Sequence, residues 1–204
     1  MKIYTRRGDD GTTGLLYGGR IPKTAAAVAA NGAVDEAQAA LGAVRAEVER
    51  GSELDELLVG LERDLYVAMA ELATAPANRH KLQDGTSRVT ATMISALEDH
   101  IDALTGRFPP LSDFVLPGHD RVSALLDVAR TAVRRAERAV LAAEDPGSPA
   151  GEQLEADRHS QVGPYLNRLS DLAWTMARWQ EHGDSLLSRQ APPLTNDASE
   201  EPAR

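Results

Sequence analysis

The 204-residue sequence contains no cysteine. Disulfide bonds, thiolate nucleophiles and cysteine-ligated zinc sites are therefore excluded. Aromatic residues are also scarce, at 4% of the chain, whereas alanine is frequent. Such a composition favours closely packed helices over a β-sandwich. The length suits one domain with a single sizeable core and a tail.

The sequence has few basic residues relative to acidic ones, and it has no long hydrophobic run. Lysine and arginine number 22 against 31 acidic residues, which gives a formal net charge of −9. Broad binding to nucleic acid or to an anionic membrane needs a positive field, so neither partner is expected. The longest run of small apolar residues, Ala25 to Ala30, is far too short to span a bilayer, and the N-terminus shows no apolar signal region. We therefore expect a cytoplasmic protein that binds any anionic ligand in a local basic pocket.

Apolar residues recur at helical spacing in five segments, which predicts an all-α, five-helix bundle. The predicted helices cover approximately residues 24–50, 52–74, 90–104, 120–144 and 164–183. Ser52 is expected to cap the second helix, and residues 76–87 to form a polar, mobile loop. The helical domain is predicted to span residues 1–183. Residues 184–204 have few apolar anchors and are predicted to form a disordered tail.

The helix over residues 120–144 carries the densest chemistry. Its apolar residues form one stripe, and Arg130, Arg134 and Glu137 lie beside that stripe, at roughly 60 to 120° around the helix axis. One interpretation is a solvated face with ordinary ion pairs. The other is a cleft between helices or subunits in which guanidinium groups bind a polyanion.

The first 23 residues contain five glycines and one proline, which predicts an ordered loop instead of a helix. Gly8 and Gly11 permit positive φ, so the backbone N–H groups here could surround phosphate oxygens. Thr12 and Thr13 add hydroxyl donors, and Lys23 adds charge. The alternative is a plain Gly-rich arm without a ligand. The sequence has no Walker A motif.

Three other features interrupt the apolar pattern. Asp35 is a carboxylate in an otherwise small-residue helix, and considered alone it would be structural or without a role. Phe114 lies in a short apolar run on a loop closed by Pro117 and Gly118, where it would either plug the core or form a wall of a ligand site. The last helix has a second polar shoulder, which could face the same cleft as the first. Its residues are Asn167, Asp171, Trp174 and Arg178.

Taken together, these segments resemble one family, the ATP:cob(I)alamin adenosyltransferases of the PduO type. The resemblance covers about residues 3–180 and is carried, in order, by YTRRGDDGTTGLL, GGRIPK, NGAVDEAQAALG, ELATAP, FVLPG, ARTAVRRAER and YLNRLSDLAWTMAR. It implies a five-helix bundle that assembles as a homotrimer, with MgATP bound at the subunit interfaces. It also implies transfer of the 5′-deoxyadenosyl group of ATP to the cobalt of cob(I)alamin, made by reduction of cob(II)alamin, with release of triphosphate.

Matched position by position, the resemblance also assigns roles to residues. It assigns the triphosphate and its Mg²⁺ to the N-terminal loop, at Thr5, Gly8, Asp9, Gly11, Thr12, Thr13 and Lys23. Arg134, Glu137 and Asn167 correspond to residues that contact ATP, with Glu137 and Asn167 nearer the nucleoside or the metal. Arg134 and Glu137 are therefore expected to take part in catalysis.

Two further assignments concern the corrinoid and the subunit contact. Arg130 matches a cofactor-site arginine that bridges to the neighbouring subunit's Asp35. Phe114 matches an aromatic residue that excludes the lower axial ligand of cobalt, so it is also expected to take part in catalysis. Co(I) is itself a strong nucleophile, so the protein need supply only alignment and charge stabilisation. The expected partners are the corrinoid, a flavoprotein reductase that donates electrons, and an adenosylcobalamin-dependent mutase.

Three positions depart from the family pattern. Arg7 stands where threonine is usual, Asn31 replaces a common aromatic residue, and His119 replaces the second glycine of a PGG sequence. Histidine tolerates positive φ less well than glycine, which puts the family's backbone at the start of the long helix in question. The rival interpretation is a helical scaffold that binds a nucleotide or corrinoid without turnover. A di-iron bundle would need paired Glu-x-x-His motifs, which the sequence lacks.

Overall fold

The computed structural model describes residues 3–144 and 160–189, which form a mostly helical fold. The elements, in chain order, are β1 (Thr12–Gly14), β2 (Arg20–Pro22), α1 (Ala26–Arg45), α2 (Glu53–Leu72), a 3-10 helix (Pro76–Lys81), α3 (Ala91–Thr105), α4 (Arg121–Glu144) and α5 (Val162–Gln180). Each predicted helix corresponds to one α-helix with somewhat shifted ends. The 3-10 helix and the small sheet were not predicted. No helix in the described part of the chain is long and apolar enough to cross a membrane.

Side chains that accept backbone N–H groups fix where three helices begin. Ser52 Oγ accepts the N–H of Asp55 at 3.2 Å, so the predicted cap of α2 is confirmed. Thr90 Oγ1 accepts the N–H of Met93 at 3.3 Å, at the start of α3. Asp120 Oδ1 accepts two N–H groups of the first turn of α4, at 2.8 and 2.9 Å. Each cap satisfies donors that a helix end leaves unpaired and contributes about 1 kcal/mol to helix stability.

The core is centred on α4, which packs against both α1 and α5, while α2 packs on α1 and α3 packs on α5. The predicted apolar stripe of α4 is confirmed at Leu126, Val133 and Val140, which are fully buried. Leu41 of α1 and Leu169 of α5 are fully buried in the same cluster. Burying one such side chain contributes about 1.5–3 kcal/mol. This packing therefore fixes the rotation of α4 and the directions in which its polar residues point.

The N-terminal segment is more regular than the predicted loop. β1 and β2 form an antiparallel hairpin in which Thr13 pairs with Ile21. Its turn has positive φ at Tyr17 (64°), Gly18 (99°) and Gly19 (95°), a conformation that glycine adopts without steric cost. The two strands have only three residues each, which is too short for a strand pattern to be recognised in the sequence.

The predicted mobile loop over residues 76–87 is also partly regular. Its first half forms the 3-10 helix Pro76–Lys81, in which Arg79 is buried. Arg79 Nη1 lies 4.0 Å from Oε1 of Glu71, a fully buried carboxylate of α2. The prediction of an irregular loop is therefore wrong for these six residues, and the ion pair to the preceding helix holds Arg79 in place.

Residues 184–189, which the sequence predicts to begin a disordered tail, have defined contacts. They lie against the loop before α4, where the N–H of Leu116 donates to the carbonyl of Leu186 at 2.8 Å. Side chains contribute as well, because Arg189 Nε lies 3.2 Å from Oδ2 of Asp113. The partners are far apart along the chain, so a local sequence pattern does not show the contact. The rest of the predicted tail, residues 190–204, lies outside the described residues.

Candidate active site

Gly8 and Lys23 come together beside the hairpin. A β-carbon added at Gly8 would lie 3.0 Å from Lys23 Nζ, so the glycine lets the lysine side chain lie against the backbone. The N–H of Lys23 donates to the carbonyl of Gly11 at 2.8 Å. Gly11 has the positive φ that the sequence allows, at 80°, whereas Gly8 does not. The structure thus brings three of the predicted loop residues together.

A clamp made by Arg20, Asp10 and Thr12 holds the same segment and was not predicted. Arg20 Nε donates to Thr12 Oγ1 at 2.9 Å, and Arg20 Nη2 donates to the carbonyl of Arg7. Asp10 Oδ1 accepts the N–H of Thr12 at 2.9 Å and its hydroxyl at 2.8 Å. These hydrogen bonds, helped by the charge of Arg20, lower the pKa of Asp10. An aspartate two residues before a threonine in a Gly-rich segment is the sequence signal that could have indicated this turn.

The hairpin is attached to the C-terminal end of α2. The N–H of Leu16 donates to the carbonyl of Ala73 at 2.8 Å. Thr5 and Asp9 are exposed ahead of the hairpin, and Thr13 is half-buried within β1. The predicted phosphate-binding residues therefore lie on and beside one hairpin at the end of α2.

Glu137 of α4 and Asn167 of α5 are in direct contact. Asn167 Nδ2 donates to Glu137 Oε1 at 2.9 Å, and both residues are half-buried. Asn167 Oδ1 accepts from Arg168 at 2.7 Å. One donor and one acceptor therefore set the orientation of the amide. The two polar shoulders predicted from the sequence meet at this point between α4 and α5.

The other two predicted arginines of α4 differ in their surroundings. Arg134 is exposed, and its side chain makes no hydrogen bond or ion pair with the residues that the structure describes. Arg130 Nε lies 3.2 Å from Oδ1 of Asp127, on the same helix. Asp35, the predicted partner of Arg130, is exposed on α1. Within this chain Arg130 therefore pairs with Asp127, and Asp35 is left facing outward.

Phe114 lies on the loop before α4 with 80% of its surface exposed. The loop is held by residues 184–189: the N–H of Ser188 donates to the carbonyl of Phe114 at 2.8 Å, and Val115 pairs with Leu187. The prediction that this residue plugs the core is wrong, because side chains of the helices fill the core. A large exposed ring on a fixed loop fits the other interpretation, a wall of a ligand site.

Arg178 was predicted on the polar shoulder of α5, but only 1% of its surface is exposed. Its Nη2 atom donates to Asp127 Oδ2 at 2.8 Å and to Glu181 Oε1 at 2.7 Å. Both carboxylates are buried as well. The helical angle of Arg178 could not reveal this, because its partner Asp127 lies 51 residues earlier in the chain.

The three departures from the family pattern have different structural consequences. Asn31 Nδ2 donates to a backbone carbonyl of α2 at 2.8 Å, so the amide ties α1 to α2. Before α4 the positive φ falls on Gly118, at 110°, and not on His119. His119 is therefore compatible with this turn. Nothing in the structure explains the side chain of Arg7.

Two clefts lie away from these residues. One, of about 370 Å³, separates α2 from α3 and is lined by apolar side chains together with Asp64, His100 and Arg107. The other, of about 410 Å³, lies between α3 and α5 and is bordered by Asp171 and Trp174. Neither cleft is lined by a residue assigned to ATP or to the corrinoid. The assigned residues lie instead on open surfaces of the single chain.

Comparison with known sequences shows the family. Residues 3–180 match the family model described as cobalamin adenosyltransferase. The chain is 40% identical over 196 residues to a corrinoid adenosyltransferase of Mycobacterium tuberculosis strain H37Rv, with 92% of this chain and 97% of that protein covered. A corrinoid adenosyltransferase of Bacillus subtilis strain 168 is 35% identical over 181 residues, with 87% and 86% covered.

Solved structures show the same similarity. A variant PduO-type ATP:corrinoid adenosyltransferase from Lactobacillus reuteri, complexed with cobalamin and ATP, has a TM-score of 0.75 and 29% identity, with 92% of this chain and 97% of that chain covered. A second variant of that type from Lactobacillus reuteri, complexed with ATP, also has a TM-score of 0.75, at 28% identity and 92% and 100% coverage. The resemblance seen in the sequence is therefore confirmed, and the chain belongs to the cobalamin adenosyltransferase family.

Proposed function

We propose that this chain is an ATP:corrinoid adenosyltransferase, which transfers the 5′-deoxyadenosyl group of ATP to the cobalt of cob(I)alamin. The observation that carries the proposal is the family match over residues 3–180. Relatives that match over most of their length are named corrinoid adenosyltransferases, and a similar structure is a complex with cobalamin and ATP. The proposed catalytic domain is residues 1–183, with residues 1–23 as its ATP-binding segment.

In this reaction the electron pair of Co(I) forms a bond to C5′ of ATP. The C5′–O bond breaks, and triphosphate leaves with the electrons of that bond. Because cobalt is the nucleophile, a chain without cysteine can support the chemistry. The protein must align cobalt with C5′ and stabilise the negative charge that grows on the leaving group. Alignment and fixed cations are the means by which a protein does both.

The hairpin and the residues before it are the proposed binding element for the triphosphate. Lys23 supplies a cation that lies against the backbone at Gly8. The Arg20 clamp holds the backbone of the same segment in one shape. The other proposed contacts are Thr5, Asp9, Gly11, Thr12 and Thr13.

Arg134, Glu137 and Asn167 are the proposed ATP-binding residues of α4 and α5. The exposed guanidinium group of Arg134 can bind phosphate oxygens through two donors. The hydrogen bond from Asn167 fixes the carboxylate of Glu137. Carboxylate and amide oxygens are ligands of the type that Mg²⁺ prefers, so Glu137 fits a Mg²⁺ ion that enters with the phosphates of ATP. When bound, that ion would neutralise charge on the leaving triphosphate.

Phe114 and Arg130 are proposed to lie on the corrinoid side of the site. The exposed ring of Phe114 can occupy the space of the lower axial ligand and keep water away, which would make Co(II) easier to reduce. Arg130 is anchored by Asp127 on its own helix, and 30% of its side chain is exposed.

A homotrimer with ATP sites between subunits is proposed because different elements carry the two parts of the site. The hairpin is attached to α2, whereas Glu137 and Asn167 meet between α4 and α5. The exposed carboxylate of Asp35 can pair with an arginine of a neighbouring subunit. Cyclic assembly would give every interface one hairpin and one α4 surface. A flavoprotein reductase, a mutase partner and a cytoplasmic location remain predictions.

Anaerobic incubation with ATP, Mg²⁺ and cob(I)alamin tests the proposed function. We expect the absorbance spectrum of adenosylcobalamin to appear together with an equal amount of triphosphate. Arg134→Ala should lower the rate by about 100-fold or more, as removal of a fixed charge-stabilising donor does in other enzymes. Isothermal titration with ATP distinguishes the transferase from a scaffold that binds ATP without turnover. Binding of ATP without formation of a Co–C bond would support a non-catalytic scaffold and contradict the transferase.

A further inference from the structure

We propose that Asp127, Arg178 and Glu181, the buried triad, form a positioning unit for corrinoid binding. The triad would fix Arg130 relative to the loop that carries Phe114. This inference rests on the proposed function, which places Arg130 and Phe114 on the corrinoid side of the site.

The buried triad is a set of charges removed from solvent. The exposed fractions are 5% for Asp127 and 1% each for Arg178 and Glu181. A single guanidinium nitrogen of Arg178 donates to both carboxylates, at 2.8 and 2.7 Å. Apolar side chains of similar volume often stabilise a fold as well as buried ion pairs do. A role in orientation therefore accounts for the triad better than stability alone.

Asp127 extends the triad to Arg130. Its Oδ2 accepts from Arg178, and its Oδ1 accepts from Nε of Arg130 at 3.2 Å. The carboxylate is thus held at both oxygens, and the Arg130 side chain, which is 30% exposed, reaches the surface from a fixed origin. Two cations balance two anions in the set formed by the triad and Arg130, so the set has no net charge.

Glu181 extends the triad in the other direction. Its Oε2 accepts the hydroxyl of Ser185. Ser185 belongs to residues 184–189, and the N–H of Ser188 in that segment donates to the carbonyl of Phe114 at 2.8 Å. Hydrogen bonds, together with the backbone of residues 185–188, therefore connect Arg130 through the triad to the backbone of the Phe114 loop.

This connection predicts which substrate will respond when the triad changes. Among the described residues, no hydrogen bond or ion pair joins the triad to the hairpin or to Arg134. Loss of its geometry should therefore raise the KM for the corrinoid and leave the KM for ATP nearly unchanged. A group that only stabilises the fold would not separate the two substrates in this way.

Steady-state kinetics on the full chain, with cob(I)alamin and ATP varied separately, test the inference. Ser185→Ala removes one hydroxyl at the edge of the fold. It is expected to raise the corrinoid KM about threefold to tenfold, the cost of one ordinary hydrogen bond. Asp127→Asn should raise the corrinoid KM more, by about tenfold or above, because the buried arginine loses one of its two anionic partners. The KM for ATP should stay within about twofold in both variants. The double variant should show less than the product of the two effects, because both residues act through the same contacts.

A conservative substitution separates positioning from simple filling of space. Arg178→Lys keeps the cation but not the fork of donors, and Arg178→Met removes the cation. The corrinoid KM of Arg178→Lys should lie between those of the wild type and Arg178→Met. Asp64→Asn is the matched control. It alters a partly buried carboxylate that bonds to Tyr165 and not to the triad, and it should leave both KM values within about twofold of wild type.

Three results would overturn the inference: equal increases in the two KM values, a lower Tm with both KM values unchanged, or independent effects in the double variant. If Asp127→Asn and the Arg178 variants do not fold, the corrinoid KM of Ser185→Ala decides alone. A wild-type protein that forms no Co–C bond would overturn the proposed function as well. An active wild-type protein whose variants keep the wild-type KM values would overturn only the inference about the triad.

Discussion

Phe114 is 80% exposed, and a ring so exposed contributes little to folding. Truncating such a side chain changes stability by no more than about 0.5 kcal/mol. Phe114→Ala should therefore leave Tm nearly unchanged, while the rates of Co(II) reduction and adenosylation fall because the lower ligand and water regain access. Tyr66→Ala removes another exposed ring, on α2, and should leave both rates unchanged. Unchanged rates in Phe114→Ala, followed by absorbance under anaerobic conditions, would remove the ring from the mechanism.

The contact between Asn167 and Glu137 provides a test that depends on pH. Asn167→Asp keeps the shape of the side chain but places two carboxylates where donor and acceptor now lie 2.9 Å apart. Like charges at this distance raise the pKa of the pair, and a protonated aspartate can again donate a hydrogen bond. The KM for ATP should rise about tenfold at neutral pH and recover as the pH is lowered, whereas Asn167→Ala should show a raised KM at every pH. Parallel pH profiles of the two variants would contradict this account.

At the scale of single residues, the sequence indicated the chemistry of a side chain better than its surroundings. Glu137 and Asn167 were expected on two shoulders that could face one cleft, and they meet. Arg178 had the same kind of helical angle, yet it is buried. The difference depends on which helix faces which, and the periodicity of one segment does not contain that information.

One guanidinium group ties the hairpin to the residues that precede it. Arg20 donates to Thr12 and to the carbonyl of Arg7 together, and lysine cannot reproduce that planar fork. Arg20→Lys should weaken ATP binding about tenfold, measured by isothermal titration, with Tm and the corrinoid KM unchanged because the clamp is exposed. Arg63→Lys, an exposed position on α2, serves as the control. Equal ATP affinity in the two variants would show that the clamp does not organise the phosphate site.

A hydrogen bond between α5 and α2 ends on a carboxylate that is unfavourable when ionised. Tyr165 donates to Asp64 Oδ2 at 3.1 Å, yet burial outweighs this hydrogen bond and raises the pKa of Asp64. The folded chain therefore holds this proton more tightly than the unfolded chain, and stability falls as the pH rises from the usual aspartate pKa through the raised one. Asp64→Asn keeps an oxygen acceptor without the charge. It should raise Tm at about pH 7, and the gain should vanish below the usual aspartate pKa.

Asp55 serves as a control because its pKa shifts in the opposite direction, downward. The backbone N–H of Gly51 and then the side chain of Arg45 lower the pKa of Asp55, so its ionised form stabilises the fold above the usual aspartate pKa. That contribution is lost as the pH falls through the lowered pKa. Asp55→Asn should therefore lower Tm at about pH 7, with a difference that shrinks in acid. Thermal melts that showed the same sign for Asp55→Asn and Asp64→Asn would contradict the assignment of these two shifts.

At the scale of elements, the sequence predicted those features of the helices that depend only on neighbouring residues. The apolar stripe of α4 and the Ser52 cap are local, and both are confirmed. The strands of the hairpin are too short for a pattern to be recognised, and the contacts of residues 184–189 depend on partners far along the chain. Leu116 pairing with Leu186 through backbone atoms is an example, because neither side chain signals the contact.

In the whole molecule the proposed ATP residues belong to different elements, because the hairpin is attached to α2 whereas Glu137 and Asn167 meet between α4 and α5. Periodicity cannot distinguish a surface that faces solvent from one that faces another copy of the chain. Asp35 and Arg134 illustrate this, because both are exposed polar residues on helices whose other sides are buried. The trimer was therefore predicted only through the family resemblance. Whether the site is shared between subunits is a question for hybrid assemblies.

Mixing two inactive variants tests whether subunits share the site. Lys23→Ala damages the hairpin, and Arg134→Ala damages the α4 surface. In a trimer with sites at the interfaces, a site is intact when its hairpin comes from an Arg134→Ala subunit and its α4 surface from a Lys23→Ala subunit. Random assembly of equal amounts makes about one quarter of the sites intact. Co-refolded mixtures should therefore recover about one quarter of the wild-type rate of adenosylcobalamin formation, although each variant alone is nearly inactive.

A second mixture separates shared sites from other causes of recovery. Arg134→Ala and Glu137→Gln both lie on α4, so each site would take a damaged α4 surface from one subunit or the other. This mixture should recover no activity, even though its subunits exchange as freely as those of the first. If the hairpin and α4 of a single subunit formed the site, neither mixture would recover. Recovery in the first mixture alone therefore requires that the cations binding one triphosphate come from two different chains.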